Sequence, residues 1–278
     1  MEKCEIGAAA WGFRELDLEE QLKLCQRLGF SSLELGIANA PKDVPLDATD
    51  EEIQKVRELY QKYQMPLWCA ATGNDFTVAQ GVEEQIKKIK KVILICEKAD
   101  ISYLRIFAGF SAVGEVTGER WKEMIRAINE TADFAKEHQV ILAVETHGGV
   151  NAFPDGVVHF ASVTTDYTAL EKILKEIRGN VLFVFDPANL AAAGEKDPLN
   201  IFRLLKDRIA YMHLKNFIKL PSGHLDPAPL GPGVFDWKTF ASGIREWQGR
   251  YMIEFEKPEI LECGCQESID FLYRHQEG

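Results

Sequence analysis

Short apolar runs alternate with amphipathic helical patterns along the whole sequence, and this alternation constrains the fold more than any other feature. Each run is short for a helix and rich in apolar residues, which indicates a buried strand. The runs lie at residues 4–10, 31–36, 66–72, 102–109, 141–145, 181–190, 208–216 and 251–256. A segment with apolar residues at helical spacing follows each run, so the 278 residues divide into eight strand-then-helix units of about 35 residues.

Alternating strands and helices predict an α/β protein built on a parallel sheet. Eight units favour a closed (β/α)8 TIM barrel over a doubly wound open sheet. No G-x-G-x-x-G motif follows the first run, which argues against the dinucleotide-binding version of the open sheet. Neither a linker nor a low-complexity segment divides the chain, so we expect a single domain over residues 1–278.

Four successive runs end on a polar residue that could bind a metal. Glu145, Asp186, His213 and Glu254 follow apolar residues at the ends of strands five to eight. The carboxyl ends of barrel strands meet on one face, so these side chains should lie together. Three carboxylates buried side by side repel one another, and a divalent cation would relieve the repulsion. A set of three oxygen ligands and one imidazole nitrogen suits Mn²⁺, Mg²⁺, Co²⁺ or Zn²⁺. We expect a single ion at this site, with Mn²⁺ as the first choice.

Glu256 is an alternative to Glu254 as the ligand from the last strand. The two residues are two positions apart, so their side chains point to the same side of the strand. Spacing alone therefore leaves both carboxylates open as ligands.

The motifs at the strand ends resemble those of one superfamily. They read VETHGG, FDPANL, YMHLKN and IEFEKP, with GFSSLELG near the start and LGPGVFDW before the last. In this order they resemble the xylose isomerase-like sugar phosphate isomerase/epimerase superfamily, whose fold is a TIM barrel. Its members include ketose 3-epimerases, hydroxypyruvate isomerases, inosose dehydratases and endonuclease IV-type DNA-repair enzymes.

The resemblance implies that Glu145, Asp186, His213 and Glu254 bind one divalent metal ion, and that Glu145 and Glu254 are also the catalytic acid and base. It places the last ligand directly after the apolar pair of its strand, which favours Glu254 over Glu256. Removal of a proton next to a carbonyl needs a base. A metal that binds the carbonyl and the adjacent hydroxyl stabilises the resulting enediolate as a Lewis acid.

This chemistry predicts an isomerase or epimerase that acts on a small sugar or polyol derivative. Return of the proton to the opposite face gives epimerisation, and return to the neighbouring carbon gives isomerisation. Loss of a β-hydroxyl would instead make a dehydratase, as in the inosose dehydratases, and a non-catalytic sugar-binding barrel is a further alternative. The DNA-repair relatives build a three-zinc cluster with many histidines, whereas this chain has six histidines in all.

Five further residues near strand ends are candidates for contact with the substrate: His147, Asn189, Lys215, Arg105 and Trp11. His147 and Lys215 lie two positions after predicted ligands, so each would either contact substrate or pair with the ligand carboxylates. Asn189 lies where ketose 3-epimerases of the superfamily usually carry a histidine, and an amide can hydrogen-bond but cannot carry charge. Arg105 suits a carboxylate or phosphate, and Trp11 suits the apolar face of a sugar.

Composition limits the partners. Lys and Arg number 32 and Asp and Glu 43, which gives a net charge of −11 and predicts no nucleic-acid partner. No apolar run reaches the ~20 residues that span a membrane, and the first residues lack the layout of a signal peptide. The six cysteines form no C-x-x-C pair, as is typical of reduced thiols. We therefore expect a cytoplasmic protein with a small-molecule substrate. The sequence leaves the oligomeric state undetermined, and a homo-oligomer is one of the options.

Overall fold

The computed structural model describes residues 6–276, and its strands form two sheets. In chain order the strands of this part of the chain are β1 (Ile6–Ala8), β2 (Leu35–Gly36), β3 (Cys69–Ala71), β4 (Tyr103–Ile106), β5 (Ile141–Glu145), β6 (Gly149–Phe153), β7 (Gly156–Phe160), β8 (Leu182–Phe185), β9 (Ile209–Leu214), β10 (Asn216–Lys219), β11 (Leu225–Ala228) and β12 (Arg250–Ile253). Residues 4 and 5 of the first predicted strand lie outside the described residues.

Eight parallel strands form the larger sheet, in the order β1-β12-β9-β8-β5-β4-β3-β2. Backbone hydrogen bonds join its two edges. Ala8 N donates to Ser32 O at 2.9 Å, and Glu34 N donates to Ala8 O at 2.9 Å, which ties β1 to the chain that enters β2. The sheet is therefore a closed ring, and the predicted (β/α)8 TIM barrel is confirmed.

Helices separate the barrel strands and cover the outside of the sheet. They are α1 (Leu18–Leu28), α2 (Asp50–Lys62), α3 (Val82–Ala99), α4 (Gly118–Glu137), α5 (Tyr167–Glu176), α6 (Pro187–Ala192), α7 (Pro198–Leu205), α8 (Trp237–Gly243) and α9 (Leu261–Gln276). In α2, Thr49 Oγ1 accepts from Glu52 N as half of a capping box, and Ile53, Val56 and Tyr60 recur at helical spacing on the buried face. None of the helices within residues 6–276 is long and apolar enough to cross a membrane.

The barrel has two cores because successive strand residues point to opposite sides of the sheet. The larger core lies between the sheet and the helices and includes Leu142 and Val144 of β5. The smaller core fills the barrel interior. Its buried residues are Ala9, Cys69, Ala143, Val184, Tyr211 and Met252. In several strands, the residue two positions after the interior residue also faces inward, and this residue is polar and lies at the end of the strand.

Two of the segments that join a barrel strand to the following helix contain β-hairpins. Residues 146–164 include β6 and β7, and β10 and β11 form the second hairpin. Their four strands make an antiparallel sheet in the order β10-β11-β7-β6. A P-x-G sequence lies at each turn, Pro154-Asp155-Gly156 and Pro221-Ser222-Gly223, and Gly223 has the positive φ of 91° that glycine adopts readily. This turn chemistry is the signal that separates a hairpin from a loop.

The stretch 181–190 contains a strand and a short helix. The strand β8 ends at Phe185, and Asp186 is the N-cap of α6, with its Oδ1 accepting from Asn189 N at 2.9 Å. Pro187 occupies the first helical turn, where its fixed φ favours a helix start. The aspartate at this strand end is thus held by the backbone of the following helix.

Candidate metal centre

Four barrel strands place a polar side chain next to the barrel interior. In β5, β8, β9 and β12 an interior residue is followed two positions later by a predicted ligand, and strand alternation turns both side chains inward. The interior residues are Ala143, Val184, Tyr211 and Met252, and the residues that follow them are Glu145, Asp186, His213 and Glu254. Each strand therefore changes from apolar to polar on its inward face, which brings the four polar groups together.

The four side chains converge on one buried point. Their ligand atoms, one from each residue, all lie within 4.8 Å of one another. His213 Nδ1 lies 3.5 Å from Glu145 Oε1 and 3.6 Å from Glu254 Oε2. None of the four residues is more than 4% exposed. The group offers three carboxylates and one imidazole to a shared centre.

Burial and mutual repulsion set the charges in this group. Burial, aided by Glu145 and Glu254, outweighs the attraction of Lys215 and raises the pKa of Asp186 to about 7. Burial also acts to raise the pKa of Glu145, but the charges of Arg105 and His213 more than offset it and bring that pKa to about 2. Burial therefore makes Asp186 the most easily protonated of the three carboxylates in the metal-free cluster.

Three buried atoms of the cluster lack a hydrogen-bond partner among the described residues. They are Asp186 Oδ2 and both ring nitrogens of His213, Nδ1 and Nε2. An unsatisfied buried polar atom is costly, and a cation shared with the Glu145 and Glu254 carboxylates would satisfy Asp186 Oδ2 and His213 Nδ1. The donor set of three oxygens and one nitrogen fits a divalent ion, and no thiolate in the set demands zinc. These residues could therefore hold a single divalent metal.

Two buried cations hold the carboxylates in place. Arg105 Nε lies 3.3 Å from Glu145 Oε2. Lys215 Nζ lies 2.6 Å from Glu254 Oε2 and 3.4 Å from Asp186 Oδ2. The side chains of both cations are 2% exposed, so water screens these ion pairs little. Each glutamate of the cluster thus has its own fixed positive partner.

The last strand offers two carboxylates, which the structure separates. Glu254 belongs to the converging set and Glu256 does not. The Glu256 side chain is 20% exposed, and its Oε1 lies 3.1 Å from Lys215 Nζ. This arrangement favours Glu254 as the ligand and gives Glu256 the ammonium of Lys215 as its partner.

A cavity of about 350 Å³ opens onto the cluster. Glu145, Glu254 and Glu256 line it on the polar side. Phe107, Phe110 and His147 form an aromatic wall, with ring centroids 4.8 to 5.4 Å apart. The hairpin sheet completes the lining with Val150, Val157, His159 and Pro227. The lining of the cavity therefore combines hydrogen-bonding groups with aromatic and apolar side chains.

His147 has a fixed tautomer. Its Nδ1 lies 2.6 Å from Gly148 O, and a carbonyl oxygen can only accept, so Nδ1 carries the hydrogen. Burial lowers the pKa of His147, so the ring is neutral at neutral pH with Nε2 as its acceptor. Because the residue also lines the cavity, it provides a neutral imidazole beside Glu145.

The predicted substrate-contact residues divide into two groups. Trp11, Arg105 and His147 line the cavity. Asn189 Nδ2 instead donates to Glu145 Oε1 at 3.2 Å. Lys215 contacts carboxylates, as described above, and neither it nor Asn189 is among the cavity-lining residues. Contact of any of the five with a substrate stays a prediction.

Sequence reasoning missed two polar residues at the site. Glu34 is fully buried, with Oε1 3.8 Å from His213 Nε2, and it lies between Leu33 and Leu35, whose side chains pack outward. A lone carboxylate between two buried leucines is the signal that could have found it. His159 lines the cavity from β7, a strand that is not among the eight runs identified in the sequence.

The family model for the xylose isomerase-like TIM barrel matches residues 22–275. The chain belongs to this family. The sequence-based resemblance is thereby confirmed for nearly the whole chain. A search of curated proteins gives no match.

Solved structures share the fold of this xylose isomerase-like chain at low identity. A probable 3-DHS dehydratase from Bacillus anthracis superposes with a TM-score of 0.76 at 14% identity, covering 97% of this chain and 98% of that one. A D-allulose 3-epimerase from Methylomonas sp. gives 0.73 at 15%, covering 99% of each chain. The IOLI protein, solved with a zinc atom, gives 0.73 at 17%, covering 98% of this chain and 97% of that one. At these identities the likeness shows the fold alone.

Proposed function

We propose that this protein is a divalent-metal-dependent isomerase or epimerase that moves a proton next to a carbonyl of a small sugar or polyol derivative. One observation carries the proposal: the donor atoms of Glu145, Asp186, His213 and Glu254 lie within 4.8 Å of one another beside a cavity of about 350 Å³. A cavity of that size suits a small ligand. A binding site that served only to hold a sugar would not need three buried carboxylates around one point.

The four-residue set is the proposed metal site, with Mn²⁺ as the first choice. Two observations support this choice: Asp186 Oδ2 and His213 Nδ1 lack a hydrogen-bond partner among the described residues, and the donor set is rich in oxygen. A bound divalent ion would act as a Lewis acid toward the substrate carbonyl. The IOLI protein, which shares the fold, was solved with a zinc atom, and this supports a divalent ion at the proposed site.

Glu145 and Glu254 are the proposed proton-transfer pair. Both line the cavity, and they come from different strands, so they can approach a substrate carbon from two sides. One carboxylate takes the proton, and the other returns one. Arg105 and Lys215 hold the two carboxylates at fixed positions throughout, because each forms a buried ion pair with its glutamate. Fixed positions are what proton transfer at a single carbon requires.

Sugars are the proposed substrate class. The D-allulose 3-epimerase of Methylomonas sp. is described in complex with D-allulose, and a D-psicose 3-epimerase from Clostridium cellulolyticum with D-tagatose. In the present chain the polar side of the cavity can hydrogen-bond hydroxyl groups, and the wall formed by Phe107, Phe110 and His147 suits the C–H face of a sugar ring.

Dehydration is the second candidate, and His147 favours it. Its Nε2 is free to accept a proton because Nδ1–H is bound to Gly148 O. An imidazole in that position can take the proton next to the carbonyl and pass it to a departing β-hydroxyl, which leaves as water and yields an enone. A probable 3-DHS dehydratase is among the proteins that share the fold.

Solvent exchange tests the proposal. The Mn²⁺-loaded protein is incubated in D₂O with a panel of ketoses and inososes and followed by ¹H NMR and ultraviolet absorbance. An isomerase or epimerase incorporates deuterium at a carbon next to the carbonyl, whereas a dehydratase produces an enone that absorbs in the ultraviolet. If a sugar binds without producing either signal, and if a chelator abolishes that binding, the result would favour a non-catalytic barrel. Glu145→Gln should lower the exchange rate by about 10²–10⁴-fold, the usual contribution of a general base.

A further inference from the structure

Glu34 is a buried carboxylate that the proposed reaction leaves without a role. It is 0% exposed and directly precedes β2. Both carboxylate oxygens are tied to hydrogen-bond donors: Tyr211 OH donates to Oε1 at 2.6 Å, and Ala10 N donates to Oε2 at 3.1 Å. The orientation of the carboxylate is therefore fixed from two sides. A charge is kept in a barrel interior only where a specific partner compensates for its lost hydration.

The third neighbour of Glu34 is His213. Glu34 Oε1 lies 3.8 Å from His213 Nε2, while Nδ1 on the other side of the ring faces Glu145 and Glu254. Neither ring nitrogen has a hydrogen-bond partner among the described residues. The imidazole thus lies between a fixed carboxylate on its Nε2 side and the candidate metal ligands on its Nδ1 side.

Metal binding requires the neutral form of His213, in which the imidazole carries one N–H donor and one lone pair. A carboxylate beside Nε2 favours the tautomer with the hydrogen on that nitrogen, which leaves the Nδ1 lone pair facing the other ligands. A histidine that binds a metal commonly donates its second N–H to a carboxylate, and loss of that partner weakens metal binding by about 10–100-fold. Glu34 is the carboxylate on the Nε2 side of this ring, with Oε1 3.8 Å from that nitrogen.

We propose that Glu34, oriented by Tyr211, is a positioning residue that holds the His213 ring with Nε2–H toward Glu34 and Nδ1 toward the metal. The proposal rests on the proposed metal-dependent function. It extends the site to the residue that directly precedes β2, a strand that supplies none of the four ligands. Glu34 does not touch the metal in this assignment; it acts through the histidine.

The test measures Mn²⁺ affinity of the metal-free protein by electron paramagnetic resonance of the free ion, with thermal unfolding of the metal-free protein measured alongside. Glu34→Leu removes the carboxylate, Glu34→Gln keeps an oxygen but not the charge, and Tyr211→Phe removes the hydroxyl that orients Glu34. Tyr60→Phe is the matched control, because Tyr60 is also fully buried and its hydroxyl donates to Leu33 O at 3.2 Å.

We expect Glu34→Leu to raise the Kd for Mn²⁺ by about 10–100-fold, with smaller increases in Glu34→Gln and Tyr211→Phe. Tyr60→Phe should lower the Tm and leave the Kd unchanged. Tyr211→Phe keeps the ring volume, so it remains informative if Glu34→Leu does not fold. Variants that lower the Tm but bind Mn²⁺ like wild type would overturn the role of Glu34 alone. A wild-type protein that binds no divalent metal would overturn the proposed function and this inference with it.

Discussion

Lys215 Nζ lies 2.6 Å from Glu254 Oε2, and the two side chains are 2% and 4% exposed. The same ammonium lies 3.1 Å from Glu256 Oε1 and 3.4 Å from Asp186 Oδ2. One buried cation is therefore shared by three carboxylates, two of which belong to the candidate metal centre. The ammonium of Lys215 therefore compensates part of the repulsion between these carboxylates when no metal is bound.

Removal of the Lys215 charge should be strongly destabilising. Lys215→Met leaves buried carboxylates without their cation, and breaking a buried ion pair in this way costs about 3–5 kcal/mol. Urea unfolding of the metal-free protein should show this loss, and saturating Mn²⁺ should reduce it, because the ion replaces part of the missing charge. Lys219→Met is the control, since Lys219 is exposed on β10 and should change stability by about 0.5 kcal/mol at most. Equal stability of the two variants would contradict the prediction.

The two glutamates of the last strand should behave differently toward metal. Glu254→Gln removes one of the four converging ligands and should weaken Mn²⁺ binding by more than about 100-fold, beyond the range for residues that only support a ligand. Glu256→Gln removes a carboxylate that pairs with Lys215 and should change the Kd by less than about tenfold. Isothermal titration calorimetry measures both. A larger effect in Glu256→Gln would exchange the assignments of the two residues.

The barrel and its four converging residues could be predicted from the sequence because the relevant signals are local. Each strand is a short apolar run, and each of Glu145, Asp186, His213 and Glu254 follows such a run directly. Parallel strands then bring their carboxyl ends together without any further information. The fold prediction is confirmed, and the structure brings the four side chains to one point, while their roles stay predictions.

The remaining parts of the site depend on contacts that are distant in sequence. Glu34 is fixed by Tyr211, which is 177 residues away, so the apolar run at residues 31–36 predicts the strand but not this contact. His159 reaches the cavity because β7 pairs with β11 from a different hairpin. Local patterns specify strands and helices, but they do not specify which side chains meet across such intervals.

Divalent metal should stabilise the folded protein by binding only to the assembled cluster. At a free Mn²⁺ concentration of 100 times the Kd, binding should raise the free energy of unfolding by about 2.7 kcal/mol. In a chain of this size 1 kcal/mol shifts the Tm by roughly 2 °C, so the expected rise is about 5 °C and chelation should reverse it. Asp186→Asn, which removes one ligand charge, should lose the shift. A Tm that does not respond to Mn²⁺ in the wild type would argue against the metal site.

Acid should destabilise the metal-free protein through His159. Burial, with a smaller contribution from the positive charge of Lys215, lowers the pKa of His159 to about 3 from its ordinary value of 6.5. Below about pH 6.5, His159 therefore binds a proton in the unfolded chain but not in the folded chain. The free energy of unfolding is highest above that pH and falls as the pH decreases toward 3.

The His159→Asn variant isolates this contribution. We expect the free energy of unfolding of the wild type to fall by about 1–2 kcal/mol between pH 7 and pH 5 because of His159, and this decrease should be absent in the variant. The figure allows for solvent screening, since the ring is partly exposed. Urea unfolding of both proteins at the two pH values, with a chelator present throughout so that metal release plays no part, gives the difference directly. Parallel pH profiles for the two proteins would show that His159 is protonated as easily in the folded chain as in the unfolded one.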